Sequence, residues 1–453
     1  MSACLSCFAK SDGILLHRLF YGSLTADTFP LPLLSSLNSN YDYLTGLHAE
    51  LISLSSDEFL ITWREFHDRL RFILILKRNA KIHRIPADLQ RLLAFLGLAL
   101  TATAGRQTVV DCQDVGLLKK YVMDAAAVFD LIIKSFLDDD VCVLFNYSPL
   151  VAHPANTAKL TGILDFFSSS MGVSHSSILV QDRIAAMSSA VDDLTEAELA
   201  LLWFCVRSAN STETADGRSA DARSADARSA ASEMLVFLPQ LSPDLAYRLF
   251  TLKYSAGITV AFLAGRDFEL SIGMQVKIDS FWRTEVEALQ RLTQLPPKWM
   301  APSLEQELAP ELYGLVVRTG RRGRLFLSPC STASSRERAE LRRVQLMAFV
   351  RIFSQFNGNR EGDSDGTWSD LLRPVHSDGN WSDLVRPVHS DWPRTIGPPV
   401  KELYRLSDGY KCYWLHRGDA QIWALFDAAT ARSRLRVICE ATLTLFLPDG
   451  KNA

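Results

Sequence analysis

The chain has 453 residues, 48% hydrophobic and 22% charged, with a net charge of −3. That mix excludes a disordered chain, and the length exceeds one ordinary core, so about two to four domains are expected. With so little net charge there is no global field for nucleic acid; any basic surface must be local, and no nucleic-acid partner is expected.

The N-terminus, MSACLSCFAKSDGILLHRLF, lacks the basic, apolar and small-residue order of a signal peptide. Cys4–Phe8 and Ile14–Phe20 read as strands about an Asp12-Gly13 turn. Leu33, Leu34 and Leu37 follow on a short helix-like stretch after Pro30 and Pro32. Phe59–Phe66 and Arg69–Lys77 form the clearest hairpin, about His67-Asp68, and the almost wholly apolar run 71–76 suits a central strand covered on both faces. Helices are expected over Asp88–Ala102 and Gly116–Leu137. The greasiest segment, Leu92 to Gly105, is shorter than the ~20 residues that cross a bilayer. A cytoplasmic protein is expected.

A second unit begins with a helix at Ala158–Phe167 and a hairpin of Ser176–Val180 with Arg183–Met187. Thr195 and Glu198 make a capping box for a helix carrying Leu199, Leu202, Trp203 and Val206. Strands follow at Met234–Leu238, Tyr247–Lys253 and Ile258–Leu263, then a helix at Ile278–Leu292. A third unit repeats the scheme: strands Tyr313–Arg318 and Arg324–Ser328, a helix from the capping box Ser334/Glu337 to Phe356, strands Lys411–Leu415 and Gln421–Phe426, and a helix at Ala431–Leu445. The expected fold class is α+β: three modules over 1–145, 150–295 and 300–453, each an antiparallel sheet flanked by helices.

Two inserts interrupt the pattern. Residues 209–232 hold the pentapeptides ADGRS-ADARS-ADARS, which have no large apolar group to offset ordering entropy. Residues 358–398 hold a duplication, SDGTWSDLLRPVH and SDGNWSDLVRPVH, followed by SDWP. Trp368, Trp381 and Trp392 make a twice-presented linear motif one reading, and a tandem duplication in a tolerant loop the simpler one.

Catalytic motifs are missing. There is no P-loop, dinucleotide fingerprint, G-x-S-x-G elbow or H-E-x-x-H helix. The eight cysteines are spread along the chain, and Cys4 and Cys7 would point to opposite faces of a strand, so they read as structural thiols. His67-Asp68 reads as a turn that satisfies its own backbone. No catalytic residue, metal site or cofactor is expected, and the chain is not read as an enzyme. The turn with Arg318, Arg321, Arg322 and Arg324 is a candidate contact for acidic lipid head groups or an acidic partner, set against a plain solvated hairpin tip.

Ser36-Leu37-Asn38, then Trp63-Arg64-Glu65-Phe66-His67-Asp68 entering an apolar strand, then Leu118-Lys119-Lys120 and Ser135-Phe136-Leu137, resemble the N-terminal part of the Fuzzy family of planar-cell-polarity effectors. Tyr247-Arg248-Leu249-Phe250-Thr251-Leu252 and the terminal strand pair and helix extend the likeness in layout, while the two inserts and a divergent third unit depart from it. The resemblance implies three longin-like modules. It implies a heterodimer with an Inturned-like protein, a Rab-family GTPase as client of a guanine-nucleotide exchange factor, and a WD-repeat subunit in the same effector complex. It further implies a role in cilium assembly and in intraflagellar and vesicle transport, at the basal body and cytoskeleton. Leu33, Leu34, Leu37 and Asn38 are then the candidate partner-binding patch, set against the plainer reading that this helix packs its leucines onto the sheet. The alternative is a longin-type scaffold or trafficking adaptor without exchange activity.

Overall fold

β1 (Ala3–Ala9) is buried along its whole length, and β5 (Leu70–Lys77) along all but its last residue. Strands of that kind lie inside a sheet with both faces covered. The computed structural model describes residues 2–49, 51–78, 86–137, 154–180, 182–215, 231–255, 257–285, 307–319, 324–329, 401–407, 410–417 and 420–446. In it β1 and β5 are neighbours. With β2 (Leu15–Tyr21), β3 (Ser53–Ser55) and β4 (Phe59–Phe66) they form an antiparallel sheet of order β2-β1-β5-β4-β3.

The two faces of this sheet serve different cores. Cys4 and Phe8 of β1, with Ile61, Trp63, Ile73 and Ile75, pack under α1 (Leu31–Gly46). Leu5 and Cys7, with Phe72 and Leu74, pack instead under α2 (Pro86–Ala104) and α5 (Ala126–Leu137). Cys4 and Cys7 therefore lie on opposite faces, as strand geometry requires. Burial pushes the Cys4 thiol up to about 11 and the Cys7 thiol well above its usual value, which keeps both unreactive. Between α2 and α5 come α3 (Arg106–Asp111) and α4 (Val115–Asp124). The helix expected over 116–137 is thus two helices, parted at Ala125.

The second sheet comprises β6 (Ser174–Val180), β7 (Arg183–Met187), β8 (Ala231–Leu238), β9 (Ser242–Ser255) and β10 (Ile258–Ala264), in the order β7-β6-β10-β9-β8. On one face lie α6 (Pro154–Met171) and α8 (Ile272–Thr284), with Phe167 5.2 Å from Trp282 between ring centres. The helix expected over 278–292 begins earlier, because the Ser271 side chain accepts from the Met274 N–H and caps it there. On the other face lies α7 (Glu196–Ala215). Its capping box is formed, with Glu198 accepting from the Thr195 N–H at 3.0 Å and the Thr195 Oγ1 donating to the same carboxylate at 2.9 Å. Glu198 also takes the N–H groups of Gln240 and Leu241 at 2.8 and 2.9 Å, so the cap ties α7 to the β8–β9 turn.

The third sheet repeats the order, as β12-β11-β15-β14-β13: β11 (Leu312–Thr319), β12 (Arg324–Pro329), β13 (Lys401–Ser407), β14 (Tyr410–Arg417) and β15 (Ala420–Asp427). α9 (Arg432–Phe446) covers one face through Leu435, Cys439 and Leu443. The expected helix from Ser334 to Phe356, the duplicated tryptophan segment and the 216–230 part of the pentapeptide insert lie outside the described residues. The fold is α+β, with three antiparallel sheets flanked by helices. No described helix is long and apolar enough to cross a membrane.

The first two modules share one core. Phe95 of α2 meets Phe204 of α7 at 5.9 Å between ring centres, and Arg207 Nη1 donates to Ser135 Oγ of α5 at 3.4 Å. Gly105, at φ 83°, lets the backbone between α2 and α3 lie against the Phe237 ring of β8: a Cβ there would come within 2.9 Å of it.

Candidate protein-interaction face

Among the described residues the fold does not turn His67-Asp68 or Cys4 and Cys7 into a catalytic constellation. His67 and Asp68 are the central residues of the turn Phe66–Arg69 between β4 and β5, at φ 51° and 54°, and Arg69 N–H closes the turn onto Phe66 O at 3.0 Å. Both positive angles are those a type I′ hairpin demands. The His67 Nε2 faces Thr101 Oγ1 at 3.5 Å, whereas Asp68 accepts from Lys10 Nζ at 3.2 Å, so the pair is no acid/base dyad. Among the described residues no three His, Cys, Asp or Glu side chains gather as a metal would need.

α1 is held to its sheet by a buried polar hub. Leu34 and Tyr41 face inward, and Leu37 packs beside them. Arg71 rises from the middle of β5, only 1% exposed. Its Nη1 donates to Asn38 Oδ1 at 2.8 Å and to Asn38 O at 3.2 Å. Its Nη2 donates to Asp42 Oδ1 and Glu65 Oε1, both at 2.6 Å, and its Nε to Glu65 Oε1 at 3.2 Å. Every N–H of the guanidinium is used, and its centre lies 4.2 Å from the Tyr41 ring centre. Burial alone would pull Arg71 down, but the bonds to Asp42 and Glu65 outweigh it and hold the group charged. Lys10 adds a second cation to Glu65 at 2.8 Å. Trp63 Nε1 donates to Leu37 O at 3.3 Å, a second tie from sheet to helix.

These contacts redraw the expected partner patch. Leu34 is fully buried and Asn38 is 3% exposed, since the one fills the core and the other answers Arg71. Neither reaches the outer face, and Leu37 is half-buried. Leu33 does stand on that face, joined by Tyr43 and Leu47, whose place there shows only once α1 is seen to run on to Gly46. The Arg318–Arg324 turn gives no comparable picture. Arg318 and Arg324 occupy the facing ends of β11 and β12, and Arg321 and Arg322 lie outside the described residues.

Three histidines sit where protonation is disfavoured. Burial lowers His17, His67 and His175, with Lys119 and Arg106 adding to the effect at the first two. His175 sits at φ 48° where β6 bulges against β10, and its ring nitrogens have no protein partner among the described residues. It lines a cavity of ≈ 20 Å³ beneath Leu199, Trp203 and Val206, large enough for one water. Asp193 and Glu198 pull its affinity for a proton back up, less than burial lowers it. A folded-state pKa below the unfolded value of ~6.5 gives stability that is complete above that pH and lost as pH falls toward the folded pKa. The melting temperature is therefore expected to fall on going from about pH 7.5 to 5.5, and less in His175→Phe. An equal fall in both proteins would move the effect to other groups.

Three sheets of one strand order, each flanked by helices, define an α+β protein of three repeated modules. Residues 171–283 match the family described as the second longin domain of FUZ, MON1 and HPS1, a span that runs from the end of α6 into α8. The chain is similar to Protein fuzzy homolog of Homo sapiens, 25% identical over 298 residues, or 65% of each chain. It is likewise similar to the Mus musculus protein at 24% over 298 residues and to the Xenopus tropicalis protein at 24% over 291. The similarity to fuzzy proteins expected from the residues of the first module is borne out by these matches, which span just under two thirds of the human relative's length, 65%.

Proposed function

We propose that the chain is a partner-binding subunit of a ciliogenesis and planar-polarity effector assembly. In this reading it pairs with an Inturned-like protein, and the pair lowers the nucleotide affinity of a Rab-family GTPase at the basal body, with a WD-repeat subunit in the same complex. The observation that carries it is the similarity to fuzzy homologues together with the longin match over 171–283. Exchange needs no covalent catalyst: a surface that prefers the nucleotide-free GTPase weakens nucleotide binding by the same factor. The uncharged outer face of α1 supports a role of that kind, since depletion of charge beside an exposed tyrosine is typical of an interface core.

The test is co-purification of the full chain with the Inturned-like protein of its own organism, followed by release of labelled GDP from candidate Rab proteins. A stable complex that speeds release is the expected result. A complex without effect on release would favour the second reading, a longin scaffold or trafficking adaptor. No complex between two folded chains would reject the pairing.

A further inference from the structure

Two helices that follow the second strand of their sheets are built on one spacing. Leu34, Leu37, Asn38 and Tyr41 of α1 turn to the first sheet, and Leu199, Leu202, Trp203 and Val206 of α7 turn to the second. Their far sides meet different fates. That of α7 carries Leu201 and Phe204, both buried, with Phe204 against Phe95 of α2 and Arg207 bonded to Ser135 of α5. In the second module this helix is therefore enclosed between its own sheet and the helices that follow the fifth strand of the first module.

The far side of α1 has no such cover. Leu33 is 42%, Tyr43 69% and Leu47 59% exposed, with exposed Ser36, Ser39 and Asn40 between them. Asp42 is the helix's lone charged residue, and Arg71 holds it. A helix facing water ordinarily carries charge on its outer side. This one offers leucine, tyrosine and small uncharged polar groups, a surface that tolerates solvent yet sets no charge against an apolar partner.

We propose that the outer face of α1 receives the helices that follow the fifth strand of a longin-type module in a second chain, continuing the front-to-back contact that the first two modules already make. The proposal rests on the pairing put forward above and assigns it a surface. The occupant is a helical pair with an apolar face, as α2 and α5 present to α7. A different chain fits better than a second copy. A front-to-back contact between identical chains repeats without end unless its rotation closes, whereas a distinct subunit ends the stack.

The experiment compares the full chain with Leu33→Asp/Tyr43→Asp/Leu47→Asp, each titrated against the Inturned-like protein. Val437→Asp, a substitution at an exposed residue of α9, serves as control. The triple variant is expected to bind about tenfold more weakly or worse, with its melting temperature and circular dichroism unchanged. Amide exchange over 31–47 is expected to slow when the partner is added to the native chain; if the triple variant does not fold, this protection carries the test, and its absence overturns the proposal. Equal affinity of native and triple variant overturns the surface and leaves the pairing standing. Failure of the native chain to bind removes pairing and surface together. A native self-associated mass, lost in the triple variant while partner affinity is unchanged, assigns the face to a second copy and overturns the choice of occupant.

Discussion

Gly97→Ala is expected to destabilise the protein by about 1–3 kcal/mol or more, although alanine is the better helix former by about 1 kcal/mol. Gly97 lies in the middle of α2, where a Cβ would come within 2.0 Å of Phe66 Cε1 and 2.3 Å of Cδ1. Phe66 has little room to yield, because its ring is 5.1 Å from that of Phe72 and is almost fully buried. The clash forces either the ring or the helix away from the sheet. Denaturant unfolding measures the loss, and the double variant Gly97→Ala/Phe66→Leu should recover part of it. A Gly97→Ala protein as stable as the native one would mean that α2 does not lie this close to β4.

Arg71→Ala carries the second large effect. Removing one partner of a buried charge cluster costs about 3–5 kcal/mol, because the groups left behind stay buried without compensation. Here Glu65 would lose its closest partner, and the Asn38 side chain would face an empty site. The damage should be local first: amide exchange across 31–46 should quicken before the rest of the first module opens. Arg71→Lys should fall between, since one ammonium cannot reach Asn38, Asp42 and Glu65 in the guanidinium's geometry. Native-like exchange in Arg71→Ala would show that the leucines of α1 suffice to hold it.

Much of this architecture was legible in the chain. The β4–β5 hairpin announces itself through dense aromatic and β-branched residues about a short polar turn, and the Thr195/Glu198 box marks the start of α7 within a residue. These signals are local, so no distant contact can erase them. The elements that were missed owe their existence to distant contacts. β3 has three residues and gains its order by pairing Ser53–Ser55 with Leu60–Thr62. β13 follows a long insert and is fixed by β14. α1, expected only as a short helix-like stretch, runs for 16 residues through serines and asparagines of modest helix propensity, because Arg71 and Trp63 hold it from the sheet.

The interaction face was harder to read for a related reason. Leu33 and Leu34 are adjacent and chemically alike, and only the helix phase set by Tyr41 and Asn38 decides which one meets solvent. Arg71 was hidden by its neighbours: within an apolar run an arginine passes for the polar edge of a strand, whereas it is the most buried cation described. Asn38 looked like a surface residue because its partner lies 33 positions away.

The strand order itself bears on how this chain tolerates insertions. In each sheet the last strand lies between the first and the fourth, so the sheet closes only when that strand arrives. β6 must wait for β10, and the connection between them already spans α7 and the pentapeptide repeats. Chain entropy for closing so long a loop grows only logarithmically, by about 0.6 kcal/mol for each doubling. One pentapeptide more or fewer is a small fraction of that span. Copy number in the repeat is therefore nearly invisible to the folding equilibrium, and the second sheet would form on alleles that differ there just as it does on this one.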